Sequence, residues 1–305
     1  MRVSEPIVYV VVLNWNLKDD TAETVASVYR STYPNLRILV VDNGSSDGST
    51  EFLREKFPNL DIVSLDKNVG YAAGNNVGIR RAQAHSADYV LLLNNDTVVD
   101  PDCIENLVVA AESEEQLGIV APVVYYHDHP NKVWQCGAKD RIFPPLPVQL
   151  TLRDLQRSER TCRDLSLVDY VTGCAMLVKR NAFDDIGLLD EHYFVYYEDS
   201  DFCIRARARG HKIGIACKAK IWHKVAASTK RAVPSKRYIS AKSRITFYRR
   251  HNTGFRSVVV ALFLIASSVR AISLDLAGGH LDLVRAHLLG LFDGLTGRIS
   301  IREDF

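Results

Sequence analysis

Residues Tyr89 to Leu93 form an unbroken apolar run that stops abruptly on Asn94, Asn95 and Asp96. A run this short, bounded by polar residues, reads as a strand buried on both faces, and such a strand needs helices above and below it. The same pattern recurs along the chain. Ile7 to Leu13 breaks at Asn14-Trp15-Asn16, Leu36 to Val41 ends on Asp42-Asn43-Gly44, Asp61 to Leu65 is a weaker strand, and Ile119 to Val124 is another. Helical segments fall between them: one opened by the capping box Asp20-Thr21-Ala22-Glu23, one closed by Pro58, one entered through Gly70 to Gly78, and one with Asp100 as cap and Pro101 at its first position. The alternation predicts an α/β fold with a mostly parallel central sheet and helices on both faces.

In such a sheet ligands bind beyond the carboxyl ends of the strands. Asn14 to Asn16, Asp42, the glycine-rich loop from Gly70, and Asn94 to Asp96 all follow strands, so parallel pairing would gather them on one edge. Each is also an ordinary loop residue type. Asp96 is thus either the cap of the following loop or a ligand-holding carboxylate. Neither G-x-G-x-x-G nor G-x-x-x-x-G-K-[ST] follows the first strand, which disfavours an ordinary dinucleotide or P-loop site. A diphosphate can instead be held through a divalent cation on hard oxygen ligands.

Between Tyr125 and Leu167 the periodicity dissolves, with Phe143-Pro144-Pro145-Leu146-Pro147 in the middle. A loop this long in a compact domain is usually functional or mobile. Val168 to Lys179 reads as one strand, followed by a short helix capped by Asn181. Tyr196-Tyr197-Glu198-Asp199-Ser200-Asp201 starts a helix ended by Gly210, and Lys212 to His223 has strand character. Three carboxylates crowd that helix's first turn, where the dipole alone favours them.

Net charge is +2, but the cations are segregated. Seventeen Lys and Arg lie between Asp201 and Asp275 with no Asp or Glu among them. No recognised RNA or DNA module accompanies them, so a nucleic-acid partner is not expected. The six cysteines show no C-x-x-C spacing and several lie in apolar runs, as reduced buried thiols do. Ile7 to Leu13 leads into a motif and not a cleavage site, so no signal peptide is expected.

The chain resembles inverting family 2 glycosyltransferases of the GT-A type, and more narrowly their bacterial rhamnosyltransferase-like members. The resemblance covers residues 6 to 225 and continues more loosely to the C-terminus. It rests on Val11-Val12-Leu13-Asn14-Trp15-Asn16, Val40 to Asp47, Asn68 to Asn76, Leu93-Asn94-Asn95-Asp96, Thr172 to Met176, Tyr196 to Asp201 and Ile221-Trp222-His223, in that order. It implies a GT-A fold and a UDP- or dTDP-sugar donor bound with Mn²⁺ or Mg²⁺. Asn14, Asn16, Asp42, Gly70, Asn75, Asn95 and Asp96 would bind the donor. Asp42 would meet the pyrimidine base, and Asp96 with His223 would bind the metal. Asn94 stands where the family often has a second aspartate, leaving the site less negative.

The reaction needs one base to deprotonate the acceptor hydroxyl. The resemblance gives that role to Asp199, with Glu198 or Asp201 as neighbours able to raise its pKa by like-charge repulsion. Trp134 is a candidate for the acceptor side. We divide the chain into a catalytic domain, 1–231, and a basic, amphipathic helical region, 232–305. Val258 to Ala266 is apolar, but Arg270 and Asp275 interrupt it before the roughly 20 residues of a spanning helix. Leu281, Val284, Leu288, Leu291, Phe292 and Leu295 form an apolar stripe, with Arg285 and His287 off it. This region either attaches peripherally to the anionic inner face of the cell membrane or packs as a hairpin on the catalytic domain or on a second copy of the chain. A glycan or polyprenyl-diphosphate-linked acceptor in cell-surface polysaccharide synthesis suits the first reading. The competing functions are a catalytically silent sugar-nucleotide-binding or membrane scaffold protein, and a sugar nucleotidyltransferase.

Overall fold

The computed structural model describes residues 5–140, 148–151, 164–225 and 233–302. Its central sheet has the order β10-β12-β6-β11-β4-β1-β2-β3. The strands are β1 (Val8–Asn14), β2 (Leu36–Asp42), β3 (Asp61–Ser64), β4 (Tyr89–Asn94), β6 (Leu117–Tyr126), β10 (Leu165–Val168), β11 (Ala175–Lys179) and β12 (Lys212–His223). β3, β2, β1 and β4 pair in parallel. β11 is antiparallel to both β4 and β6, and β12 is parallel to β6. All strands on this path except β10 and β11 therefore run the same way, as the alternating pattern requires. Leu91, Leu92 and Leu93 are buried to within 1%, which at about 1.5–3 kcal/mol per side chain makes β4 a main anchor of the sheet.

Helices α1 (Lys18–Val28), α2 (Ser49–Lys56), α3 (Tyr71–Ala84) and α4 (Cys103–Glu112) connect the strands, with two apolar clusters on opposite faces of the sheet. The expected capping box is not used: α1 begins at Lys18, and Asp20 and Glu23 instead hold the Lys224 ammonium at 2.6 and 2.5 Å. α4 begins two residues beyond Pro101, with Asp102 preceding it.

Three departures from the sequence reading shape the site. Val168 to Lys179 is not one strand: β10 ends at Val168 and β11 starts at Ala175, and the break places Gly173 beneath Tyr71. A short strand, β5 (Thr97–Val99), follows Asp96 and pairs with β12 so that Thr97 lies opposite His223. Around the long loop, β7 (Val133–Gln135) joins β6, and β8 (Ala138–Lys139) pairs with β9 (Val148–Gln149). The Phe143 to Pro147 stretch and the boundary residue Ala232 lie outside the described residues. Cys103, Cys136, Cys174 and Cys203 are buried thiols, as expected of several of the six, whereas Cys217 is disulfide-bonded.

After α5 (Arg180–Ile186) and α6 (Glu198–Ala208), three helices close the chain: α7 (Pro234–His251), α8 (Gly254–Ala277) and α9 (Leu281–Thr296). α8 runs unbroken through Arg270 and Asp275, contrary to expectation. By length and a mean hydropathy of 2.1 it is apolar enough to cross a membrane, with 11% of that stretch buried. α9 is turned the other way from a soluble helix. It packs on α7 through Ala286, Gly290 and Gly294, where an added Cβ would meet the Ala241 and Ile245 Cβ atoms at 2.9 Å. Leu281, Leu288, Phe292 and Leu295 of the stripe face outward, and His287 is buried. Close approach through small residues is how helices associate where no hydrophobic drive holds them together.

Candidate active site

Parallel registry of β1, β2 and β4 aligns Asn14 with Asp42 and Leu13 with Asn94, which brings the strand-end motifs to one edge. Asn14 is fully buried and ties that edge together. Its Nδ2 donates to Asp42 Oδ1 at 2.7 Å and Ser45 Oγ at 3.1 Å, while its Oδ1 accepts from Thr21 Oγ1 at 2.7 Å and Asn95 Nδ2 at 3.1 Å. Ser45 donates to Asp42 through its hydroxyl at 2.5 Å and its N–H at 3.2 Å. Asn16, at φ 54°, accepts the Ser46 N–H at 2.7 Å. A satisfied network of this kind fixes its members in one geometry.

The glycine loop joins this edge. Asn43 Nδ2 donates to Asn68 Oδ1 at 3.0 Å and Gly70 O at 3.2 Å. Gly70 has φ 94°, and a Cβ there would lie 2.7 Å from Phe194, whose carbonyl accepts the Tyr71 N–H at 2.6 Å. Only glycine fits. Asn75 donates to the Tyr71 carbonyl at 3.0 Å, and its buried Oδ1 has no hydrogen-bond partner among the described residues.

Asp96 and His223 are 127 positions apart in sequence, yet the β5–β12 register sets them side by side. His223 Nε2 lies 3.0 Å from Asp96 Oδ1, and the Lys224 N–H donates to the Asp96 carbonyl at 2.9 Å. Two donors at this separation suit adjacent vertices of an octahedron with bonds of about 2.1 Å, so the pair fits a hard divalent cation. No group of three or more His, Cys, Asp or Glu forms a metal site among the described residues. Substrate phosphates and water would supply the remaining ligands, as they commonly do for Mg²⁺. The His223 ring meets Trp134 edge to face at 4.7 Å.

Asp199 is the second residue of α6, which begins just after two bulky residues in left-handed backbone, Tyr196 at φ 72° and Tyr197 at φ 73°. Such positions cost about 1–3 kcal/mol each and cluster where a side chain must be aimed. Both Asp199 oxygens are gripped: Oδ2 accepts the Gly173 N–H at 3.0 Å, and Oδ1 accepts the Ser200 N–H at 2.6 Å. Burial raises its pKa, and these hydrogen bonds limit the rise. Like-charge repulsion is not the cause. Burial first, and then Asp199, push the Glu198 pKa well above its ordinary value, and its Oε2 has no hydrogen-bond partner among the described residues. Asp201 is paired with Arg205 and His251, each at 2.7 Å. The three carboxylates thus divide into a buried one with an unpartnered oxygen, one held by two backbone N–H groups, and one in an ion pair.

Asp199 and Trp134 line one cavity of 480 Å³, together with Thr172, Arg244, Tyr248 and Phe263. Trp134 therefore stands between the Asp96–His223 pair and the cavity of Asp199. The sequence reading missed Arg244, Tyr248 and Phe263. They lie on α7 and α8, inside stretches that read as uniformly basic or uniformly apolar, and no local signal marks them. Four cations of the basic stretch are engaged within the protein. Arg237 pairs with Asp275, Arg250 with Asp190, Lys242 donates to the Ile299 carbonyl at 2.7 Å, and Arg249 donates to the Leu295 carbonyl.

Comparison with known proteins places these features in context. The chain is 26% identical over 248 residues to the N-acetylglucosaminyl-diphospho-decaprenol L-rhamnosyltransferase of Mycobacterium tuberculosis, covering 76% of this chain and 80% of that protein. It is 22% identical over 310 residues to the dTDP-rhamnosyl transferase RfbF of Shigella flexneri, covering 95% and 96%. The mannosyltransferase PcManGT of Pyrobaculum calidifontis, solved with GDP-Man and Mn²⁺, shares the fold at a TM-score of 0.59 with 17% identity, over 97% of this chain and 89% of that one. The model of Glycosyl transferase family 2 matches residues 9–187, more than half of the chain, and this protein, rhamnosyltransferase-like with a GT-A fold, belongs to that family.

Proposed function

We propose that the protein is an inverting, metal-dependent glycosyltransferase that moves a sugar, rhamnose by its relatives, from a UDP- or dTDP-linked donor to a polyprenyl-diphosphate-linked glycan acceptor. It would act in cell-surface polysaccharide synthesis on the cytoplasmic face of the membrane. The observation that carries this reading is that Trp134 both touches His223 of the Asp96–His223 pair and lines the cavity of Asp199. A donor diphosphate at one end and an acceptor hydroxyl at the other would meet across Trp134.

In this mechanism Asp42, Asn16, Asn95 and the Gly70 to Asn75 loop hold the nucleoside. Asn14 acts behind them, because it is fully buried and sets Asp42 and Asn95. Asp42 has already given three acceptor positions to Asn14 and Ser45 and keeps limited capacity for a pyrimidine N–H. Asp96 and His223 would hold Mn²⁺ or Mg²⁺, which when bound stabilises the departing diphosphate as a Lewis acid. Asp199 takes the proton of the acceptor hydroxyl as that oxygen attacks the anomeric carbon. Burial raises the pKa of Asp199, which makes it a stronger base than an ordinary aspartate. With one base and direct displacement, the anomeric configuration inverts.

Membrane attachment rests on the outward apolar faces of α8 and α9, where Leu262 is 64% and Leu288 50% exposed. Thermal shift against a panel of nucleotide-sugars with and without Mn²⁺ tests the donor reading. Stabilisation by a UDP- or dTDP-sugar that grows with Mn²⁺ and disappears in Asp96→Ala is expected. The reading fails if no nucleotide-sugar stabilises the wild type.

A further inference from the structure

Arg244 differs from the other cations of α7. Arg237 and Arg250 pair with carboxylates, and Lys242 and Arg249 bind backbone carbonyls. Arg244, half-buried, has no carboxylate partner among the described residues, and its hydrogen bond to Ser268 Oγ is long, at 3.4 Å. It lines the cavity of Asp199, where the two are the only charged side chains among the described residues. A half-buried guanidinium without a counter-charge is a ready anion site, and its planar fork suits phosphate oxygens.

A second hollow begins at the same place. Between α7, α8 and α9 runs a groove of 620 Å³ walled mainly by apolar side chains, including Ile245, Ala261, Leu264, Ile265 and Ile272. Tyr248 lines both the groove and the Asp199 cavity, and Ser268, which Arg244 contacts, lines the groove. Arg244 therefore sits at the junction of a polar cavity containing the base and an apolar channel on the face that carries the exposed apolar residues of α8. A ligand matching this layout has a hydroxyl at one end, a negative group in the middle and a long apolar chain at the other.

We infer that the C-terminal helices form the acceptor's lipid subsite: Arg244 binds the phosphate of a phosphate-linked lipid acceptor, and the groove between α7, α8 and α9 takes the first part of its isoprenoid chain. This deepens the transferase reading and rests on it for the identity of the hydroxyl at Asp199. Arg244 would be a specificity-determining residue, selecting acceptors that carry both charge and chain. The donor diphosphate is not the group it serves, since that lies with Asp96 and His223 on the other side of Trp134.

Equilibrium binding of farnesyl diphosphate, inorganic pyrophosphate and farnesol to the full chain tests this, with EDTA present so that no cation can hold a diphosphate at Asp96 and His223. Farnesyl diphosphate should bind more tightly than either fragment. Arg244→Ala should weaken it by about ten- to a hundredfold, as expected for a lost charged hydrogen bond, and Arg244→Lys should recover part of the loss. Ala261→Trp, an exposed position filling the groove, should weaken farnesyl diphosphate and farnesol but not pyrophosphate. All three variants should keep the wild-type melting temperature and nucleotide-sugar stabilisation. Wild-type affinity for farnesyl diphosphate in Arg244→Ala or Ala261→Trp overturns the inference, as does equal wild-type affinity for pyrophosphate and farnesyl diphosphate. The nucleotide thermal shift is independent of these arms, so a failed donor reading with the lipid pattern intact, or the reverse, is distinguishable.

Discussion

The two halves of the site are built on opposite principles. On the donor side, Asn14, Thr21, Asp42, Ser45 and Asn95 spend most of their hydrogen-bonding capacity on one another, so the pocket is assembled before any ligand arrives. On the proposed acceptor side, Arg244 has no ion-pair partner and Glu198 Oε2 no hydrogen-bond partner among the described residues, and the helices that complete the cavity turn apolar stripes outward. A pocket that satisfies itself is specified by short segments and tolerates little change. One left incomplete needs something from outside, which in the proposed function is an anion, an apolar chain and a membrane surface. Substitutions in the two halves should therefore fail in different ways.

The largest effect should come from the acceptor half. Asp199→Asn keeps the shape but cannot take a proton, and with a single oxygen it accepts from only one of the Gly173 and Ser200 N–H groups, so turnover should fall by about 10²–10⁴-fold with donor affinity unchanged. Steady-state kinetics alongside nucleotide-sugar thermal shift reads both. Equal losses in the two would mean Asp199 holds the donor and would erase the contrast between the halves. In wild type, turnover should rise with pH along a limb lying above the ordinary aspartate range, because burial raises the Asp199 pKa and the protonated form is inactive.

Asn14→Ala should show the opposite failure. Four partners lose their common tie inside a buried network, at a cost of about 2–3 kcal/mol in unfolding free energy. Donor affinity should fall with stability, while a residual turnover at saturating donor persists. His223→Ala should be milder and selective, lowering turnover by about 10- to 100-fold and removing most of the extra stabilisation that Mn²⁺ gives to a bound nucleotide-sugar. A His223→Ala enzyme as Mn²⁺-responsive as wild type would leave Asp96 as the sole protein ligand.

This contrast also explains what the sequence disclosed. Asn14, Asp42 and Asp96 are each within a residue or two of a strand end, Gly70 closes the loop that follows β3, and parallel pairing gathers them, so periodicity locates the edge. His223 could be placed near Asp96 only by resemblance, because the pairing depends on β5, a strand of three residues too short to read from periodicity. Arg244, Tyr248 and Phe263 reach Asp199 only when α7 and α8 pack back, with Tyr197 against Phe247 at 5.0 Å and Ser243 Oγ donating to the Val195 carbonyl at 3.0 Å. Nothing local encodes that docking. The stripe of α9 was visible, but its direction was not. Sequence spacing defines a face, and only Gly290 and Gly294 pressed on α7 show that the opposite face is the packed one.

Glu198→Gln is expected to have a smaller effect, and one confined to pH dependence. The folded-state pKa of Glu198 is raised, so in the range above its unfolded value the unfolded chain binds fewer protons, and stability declines as pH rises toward the folded pKa. The amide cannot ionise, so the variant should hold its melting temperature over a pH range where wild type loses some. Urea unfolding at several pH values measures this, and a wild-type slope in Glu198→Gln would show that Glu198 is already ionised.

The smallest effect on the folded protein should come from Leu288→Gln. Leu288 is 50% exposed on the outer face of α9, so replacing it removes little buried surface, and unfolding free energy should change by no more than about 0.5 kcal/mol. In a soluble protein the change would then be silent. Here it should still reduce sedimentation with vesicles, because the leucine is held to insert into the apolar layer, where burying such a side chain is worth about 1.5–3 kcal/mol. The paired control is Val12→Ala, on a fully buried donor-side strand, which should destabilise the fold and leave vesicle binding of the folded fraction unchanged. If Leu288→Gln lowered stability as Val12→Ala does, the outer face of α9 would be a packing surface for a second copy of the chain, and both halves of the site would be closed by protein alone.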